Sequence, residues 1–338
     1  MTERPEWELT TVADDEAVAF AGTEVRHWTE LEPDTEYSED GLTFRTLPRP
    51  PGERLATVAT VNDLHFGETR CGLLGGTEIG PVLSVGPGEP PYPETMARAA
   101  ADEIAALAPD AVVAKGDLTA NGTVEEHERF LACFDELGDR LLSVRGNHDS
   151  GGGADFAAEP VQERVLPGVV LAALDTSVPG TPRGRLTDDQ GAWLDELAAR
   201  SDRPVIVFGH HQPWNPDSPE RELDYFGIDP DSSDRLVEVV VRRPSIVAYA
   251  AGHTHRNRVR RFSATGPLPW VEVSAVKDFP GAWAEYRVFE GGILQVVRRI
   301  SAPEALDWTE RTRGMFAGLY AGYSFGALGD RCLAIGTR

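Results

Sequence analysis

Leu55-Ala56-Thr57-Val58-Ala59-Thr60-Val61-Asn62-Asp63-Leu64-His65 reads as a β-strand that runs directly into two side chains able to hold a metal. Up to Val61 the run is small, apolar and β-branched, as a buried strand requires; Asp63 and His65 then follow one residue apart. Five more runs share the first half of that pattern: Asp110 to Lys115, Leu141 to Arg145, Val169 to Asp175, Pro204 to Gly209 and Ser245 to Ala251. Between them lie Ala-rich or amphipathic stretches that predict helices over Glu94 to Leu107, Val124 to Leu137, Asp188 to Arg200 (N-cap Thr187) and Ser233 to Val241. Strand and helix alternate, which indicates βαβ organisation and an α/β protein. Beyond Arg258 the helical rhythm ends, and strands are expected at Val259 to Phe262, Trp270 to Ser274, Ala284 to Phe289 and Ile293 to Arg299, as an antiparallel edge.

In open α/β sheets ligands gather outside the carboxyl ends of the strands, and there this chain carries its polar motifs. Asp63-Leu64-His65 ends the first strand, Gly116-Asp117 the second and Gly146-Asn147-His148-Asp149 the third. Gly209-His210-His211 and Gly252-His253-Thr254-His255 end the last two, so six of the eight histidines lie in these motifs. On an extended backbone, Asp-x-His and His-x-His put both side chains of a pair on one side, toward a shared cluster. Glycine ahead of a ligand permits a sharp turn and close approach. Each motif alone is weak; five in succession at strand ends indicate a metal site.

Composition limits the alternatives. With 338 residues and 41% hydrophobic content the chain can bury a sizeable core. A formal charge of −23 disfavours an extended nucleic acid or an anionic membrane as partner. No apolar run is long enough to span a bilayer, and the charged N-terminus lacks a signal-peptide core, so a cytoplasmic protein is expected. Cys71, Cys133 and Cys332 form neither a disulfide framework nor a zinc knuckle. Lysine occurs only at positions 115 and 277.

The ordered pattern D-x-H, G-D, G-N-H-[DE], a histidine after a strand, and G-H-x-H resembles the calcineurin-like metallophosphoesterases over roughly residues 55 to 300. Gly116-Asp117-Leu118-Thr119-Ala120-Asn121-Gly122, the Leu174 to Gly180 segment and the stretch before Gly209-His210-His211-Gln212-Pro213 are similar to class III cyclic-nucleotide phosphodiesterases. Purple acid phosphatases differ, having D-x-G and a ligand tyrosine where Leu118 to Ala120 offer none. The resemblance implies a four-layer αββα sandwich of two mixed sheets flanked by helices. One metal would be held by Asp63, His65, Asp117 and His255, the other by Asp117, Asn147, His210 and His253, with Asp117 bridging. Fe, Mn or Zn suit such oxygen and nitrogen donors, and the site with both aspartates would better stabilise a trivalent iron. The implied reaction is attack on phosphorus by a metal-bridging hydroxide. His148 would contact the phosphate and protonate the leaving group, with Asp149 holding its ring. His211 would hydrogen-bond behind the ligands, pointing away from them. Asn121, Arg256, Arg258 and Lys277 are candidate substrate contacts.

The expected domains are a β-rich extension and linker over residues 1–50, a catalytic domain over 51–300 and an aromatic, Gly-rich tail over 301–338. Leu31 to Tyr37 resembles the tyrosine-corner phrase of fibronectin type III modules, too short a segment for a full sandwich, so pairing with the catalytic domain or a second subunit in a homodimer is expected. A small phosphodiester, such as 3′,5′-cyclic AMP, is the expected substrate. The alternatives are a monoester or protein phosphatase, and a non-catalytic scaffold, whose signature would be a missing ligand.

Overall fold

The computed structural model describes residues 6–336. Strands β1 (Glu8–Val12), β2 (Ala17–Ala21) and β3 (Glu24–Trp28) form a small antiparallel sheet, and β4 (Glu36–Glu39) pairs with β5 (Leu42–Arg45). The first motif strand is β6 (Arg54–Val61), and β7 (Cys71–Leu74) and β8 (Thr77–Leu83) form a hairpin beyond it. In chain order there follow α1 (Tyr92–Leu107), β9 (Ala111–Lys115), α2 (Val124–Cys133), β10 (Leu141–Val144) and the short α3 (Asn147–Gly151). Next come β11 (Val161–Leu166), β12 (Val169–Leu174), α4 (Asp188–Arg200), β13 (Val205–Gly209), α5 (Pro230–Arg242), β14 (Ile246–Ala251), β15 (Arg258–Arg260) and β16 (Trp270–Glu272). The chain ends with β17 (Ala282–Phe289), β18 (Gly292–Arg299), α6 (Pro303–Thr312), α7 (Tyr320–Phe325), α8 (Leu328–Arg331) and β19 (Cys332–Gly336).

Two six-stranded sheets form the body, ordered β10-β9-β6-β17-β18-β19 and β11-β12-β13-β14-β16-β15. Both are mixed: β10, β9 and β6 run parallel, as do β12, β13, β14 and β16, with antiparallel partners outside them. Val58, Val113, Ile206, Phe208, Val271, Tyr286 and Val288 fill the space between the sheets. The outer face of the first sheet packs on α1 and α6 through Met96, Ala100, Ile104 and Trp308, and that of the second on α4 and α5 through Leu194, Leu197, Leu236 and Val240. These are the four layers, helix, sheet, sheet, helix, expected from the family resemblance.

The local causes are legible. Helix α4 opens on Thr187, whose hydroxyl accepts from Gln190 N while the Gln190 side chain accepts from Thr187 N. Helix α5 starts at Pro230 rather than Ser233, because Asp229 caps it by accepting from Ser232 N and proline suits the first turn. The expected antiparallel edge is corrected: β15 and β16 join the second sheet, whereas β17 lies at the centre of the first, between β6 and β18. Eight paired residues on the β18 side and six on the β6 side hold β17 there, and all its side chains are buried, so length and apolar content suit it to the interior.

The N-terminal segment lies on this central hairpin. Arg287, on β17, is 5% exposed and pairs with Asp14, Asp15, Glu16 and Glu285, while Arg298 pairs with Glu16 and Glu285. Thr11 donates to Val297 O (2.6 Å), and Arg331 donates to the carbonyls of Leu9 and Thr10. Tyr37 OH accepts from Glu32 N (2.8 Å), the contact a tyrosine corner makes. Arg287→Met leaves buried carboxylates without their cation and is expected to lower unfolding free energy by about 3 kcal/mol or more. Urea denaturation followed by circular dichroism checks it; a change below about 1 kcal/mol would contradict this role.

Candidate metal centre

Five strands deliver the site: β6, β9 and β10 from one sheet and β13 and β14 from the other. Their carboxyl ends face the same space, so Asp63, His65, Asp117, Asn147, His210, His253 and His255 converge although 192 positions separate the first from the last. The convergence does not use extended backbone, as the sequence pattern suggested. Asp63, His65, Asp117, His253 and His255 all have left-handed φ, between +50° and +66°. Each pair meets because both of its members turn, not because strand side chains alternate. Asp and His are among the residues that tolerate this conformation, and such strain collects at functional sites.

Glycines make room for the turns. A Cβ on Gly146 would lie 2.2 Å from Asp117 Oδ1, and one on Gly252 2.7 Å from Asp63 Oδ2. The glycine ahead of each candidate ligand therefore admits a carboxylate from another motif.

Asp63 and Asp117 are each at most 2% exposed. Asp63 Oδ2 accepts from Asn62 Nδ2 (2.6 Å) and His253 N (3.0 Å), while Oδ1 has no hydrogen-bond partner and faces His255 Nε2 at 3.3 Å. Asp117 Oδ1 accepts from His148 N (2.9 Å). Asp117 Oδ2 faces both His65 Nε2 (3.5 Å) and His210 Nε2 (3.3 Å). That single oxygen is the one shared between the two halves of the cluster. Asn147 Oδ1 lies 3.3 Å from His210 Nε2. The ligating atoms of Asp63, His65 and His255, and those of Asp63, Asp117 and His210, lie within 4.8 Å of one another.

This donor set fits a pair of cations. Buried carboxylate oxygens and imidazole nitrogens point at one another, with Asp63 Oδ1 and both ring nitrogens of His65 lacking a hydrogen-bond partner; a cation supplies what both donor types lack. Burial opposes charge on His210 and His255, yet the neighbouring carboxylates outweigh it: Asp117 pushes His210 up to about 9, and Asp63 with Asp278 pushes His255 up to about 10. Burial and His210 bring His253 down to about 3. Protons on His210 and His255 balance the aspartates where cations would otherwise do so.

Residues 56–257 match the calcineurin-like phosphoesterase model, well over half of the chain. The chain belongs to the calcineurin-like phosphoesterase family. It is therefore a hydrolase of phosphoric esters. A "Probable cyclic nucleotide phosphodiesterase" of Synechococcus sp. is 29% identical over 189 residues, 54% of this chain and 72% of that protein. The glycerophosphodiester phosphodiesterase GpdQ of Enterobacter lignolyticus is 31% identical over 169 residues, 44% of this chain and 56% of its own length. In fold, a dimetal phosphatase of Danio rerio is similar, with TM-score 0.59 and 13% identity over 85% of this chain and 100% of that one.

Around the phosphoesterase cluster, three expectations are corrected. Asp149 does not hold the His148 ring: its carboxylate accepts from Leu118 N, Thr119 N, Thr119 Oγ1 and Gly146 N, tying two ligand loops together, because the first turn of α3 points it inward. Burial and the Asp117 carboxylate push it up to about 6 in spite of those donors. The His148 ring is held instead by Ala120 O, 2.8 Å from Nδ1. His211 does not point away; its ring centroid lies 4.6 Å from that of His253, with Nδ1 on Thr176 Oγ1. Lys277 is 5% exposed and committed to Glu68 (2.6 Å), so it is no substrate contact.

Arg256 donates to buried Glu272 (3.0 Å), and the Asn121 amide donates to Glu126 (2.7 Å); Arg258 is exposed on β15. Glu68 and Asp278, which sequence reasoning missed, lie against the rings of His65 and His255. The available signal was position: Glu68 closes the first motif, and Asp278 follows one of the chain's two lysines.

Asp117→Asn is expected to lower bound metal at both positions, read as metal per chain after dialysis; full occupancy would refute the bridging assignment. The sign of the pH effect follows from the raised imidazoles. Their charge stabilises the metal-free protein fully below about 6.5, a contribution lost as pH rises through about 9 and 10. Cations must displace the same protons, so metal affinity is expected to rise by about tenfold per pH unit for each proton released up to that window. Calorimetry in buffers of different ionisation enthalpy measures the release; affinity flat with pH would contradict it.

Proposed function

We propose that this phosphoesterase hydrolyses small phosphodiesters, 3′,5′-cyclic nucleotides among them, with two bound cations. The observation that carries the reading is Asp117 Oδ2, one buried oxygen facing histidines from both halves of the cluster. Asp63, His65, Asp117 and His255 would hold one cation and Asp117, Asn147, His210 and His253 the other. When bound, the pair supplies Lewis-acid polarisation of the phosphoryl group and a water of lowered pKa.

The chain's own residues do the rest. His148 is the exposed histidine beside the cluster, its ring centroid 4.6 Å from that of His65. Ala120 O can only accept, so it fixes the proton on His148 Nδ1 (2.8 Å) and leaves Nε2 free to give a proton to the departing oxygen when the ring is charged. The backbone N–H of the same residue donates to Asp117, which couples the ring's position to the cluster.

A diester is favoured over a monoester by the cations at hand. Lys277 and Arg256 are engaged by Glu68 and Glu272, leaving Arg258 as the free one among the candidates. A dianionic monoester would call for a cationic clamp of its own, and the overall charge of −23 disfavours it further. The phosphodiesterase names of the two relatives support the same choice. The scaffold reading has no support in the motifs, since every ligand position is filled.

Bis-nitrophenyl phosphate is expected to outpace nitrophenyl phosphate under matched manganese and salt. A monoester advantage of about tenfold in kcat/KM, roughly 1.4 kcal/mol, would favour the phosphatase alternative. His148→Ala is expected to cut turnover by about 100-fold with metal content unchanged, and less on nitrophenolate than on alkoxide leaving groups. Equal losses on the two would argue against proton donation.

A further inference from the structure

The two histidines assigned to the first cation each have a carboxylate at the ring nitrogen turned away from it. Glu68 Oε2 is 3.1 Å from His65 Nδ1 and Asp278 Oδ2 is 3.7 Å from His255 Nδ1, both ion-pair contacts rather than hydrogen bonds. One ammonium joins these carboxylates: Lys277 Nζ lies 2.6 Å from Glu68 Oε1 and 3.4 Å from Asp278 Oδ2. All three side chains are largely enclosed, at 17%, 2% and 6% exposure for Glu68, Asp278 and Lys277.

The C-terminal segment closes the arrangement from behind. Tyr320 OH donates to Asp278 Oδ1 (2.6 Å), and Trp308 Nε1 donates to Lys277 O (2.8 Å) while its ring stacks on Tyr92. Tyr92 OH in turn donates to Glu68. The second cation's histidines are held differently, by neutral backbone: His210 Nδ1 on Lys115 O and His253 Nε2 on Phe226 O, both at 2.8 Å.

We propose that Lys277 is a positioning residue for the first cation, spanning Glu68 and Asp278 so that these carboxylates aim His65 and His255 at the metal. The physical reason is that two anions in one enclosed space repel, and a shared cation fixes their separation. A lysine suits the position because a compact point charge fits between two carboxylates that a planar guanidinium would force apart. Carboxylates behind ligating histidines fix ring orientation and raise ligand basicity. Through Trp308 and Tyr320, helices α6 and α7 support the same carboxylates and lysine. The inference rests on the two-cation reading above.

The test is a manganese binding isotherm, with circular dichroism to verify folding. Lys277→Met/Glu68→Gln removes one charge of each sign, and Asp278→Asn keeps shape and Tyr320's partner while removing one anion; whichever folds decides. Two ions are expected per wild-type chain. In the variants one ion is expected to bind with wild-type affinity and the other about 10–100-fold more weakly. Two ions at wild-type affinity in a folded variant, or equal weakening of both, would overturn the positioning role. A wild-type chain that takes up fewer than two ions would instead sink the two-cation reading.

Discussion

Asp63 and Asp117 are both shut off from water, and the organisation of the centre follows from neutralising them together. Removing two carboxylates from solvent costs several kcal/mol each unless opposite charge comes with them. In the polypeptide alone that charge is borne by His210 and His255, whose imidazoles are driven to hold protons far above their ordinary range. Cations would replace those protons with stronger, multiply shared charge. Asp117 Oδ2 is the pivot, because one oxygen answers to histidines from both sheets.

That demand explains the backbone around it. Five of the clustered residues adopt left-handed φ, at a cost of roughly 1–3 kcal/mol each, and glycines at 146 and 252 allow carboxylates to sit where any side chain would collide. The strain is tolerated because the motif strands β6, β9, β13 and β14 are anchored in the two sheets and packed on both faces. Rigid sheets hold the strand ends; short turns then do the aiming. Asp149 belongs to the same scheme, its four donors coming from the second and third motifs.

The segments outside the matched region share this logic of buried charge. The acidic run Asp14-Asp15-Glu16 meets Arg287 and Arg298 on the central hairpin of the first sheet, fastening the N-terminal strands to the strands beside β6. At the other end β19 completes that sheet beside β18, and α6 and α7 bring Trp308 and Tyr320 to the shell behind His65 and His255. Both termini thus bear on the sheet that carries Asp63.

Composition and order alone were enough for the α/β class, the six buried strands and the motif residues at their ends, because hydrophobic period and glycine-flanked ligands are local signals. Helix ends were legible where a cap was explicit, as at Thr187, and misjudged at Asp229, where the cap stood upstream of the expected start. Long-range pairing was not legible: β17 and β18 look like any antiparallel hairpin, and only the pairing of β17 with β6 makes them central. The same limit governed the cations. Arg256 and Lys277 lie near the motifs in sequence and were natural substrate contacts, yet their charges are spent on Glu272 and Glu68, partners 16 and 209 positions away. Sequence by itself determined which residues could bind metal, since that is a matter of chemical type and spacing. Only the tertiary structure decided which oxygen is shared, which turns are left-handed and which charges are already neutralised, because each depends on groups that meet solely when the two sheets pack.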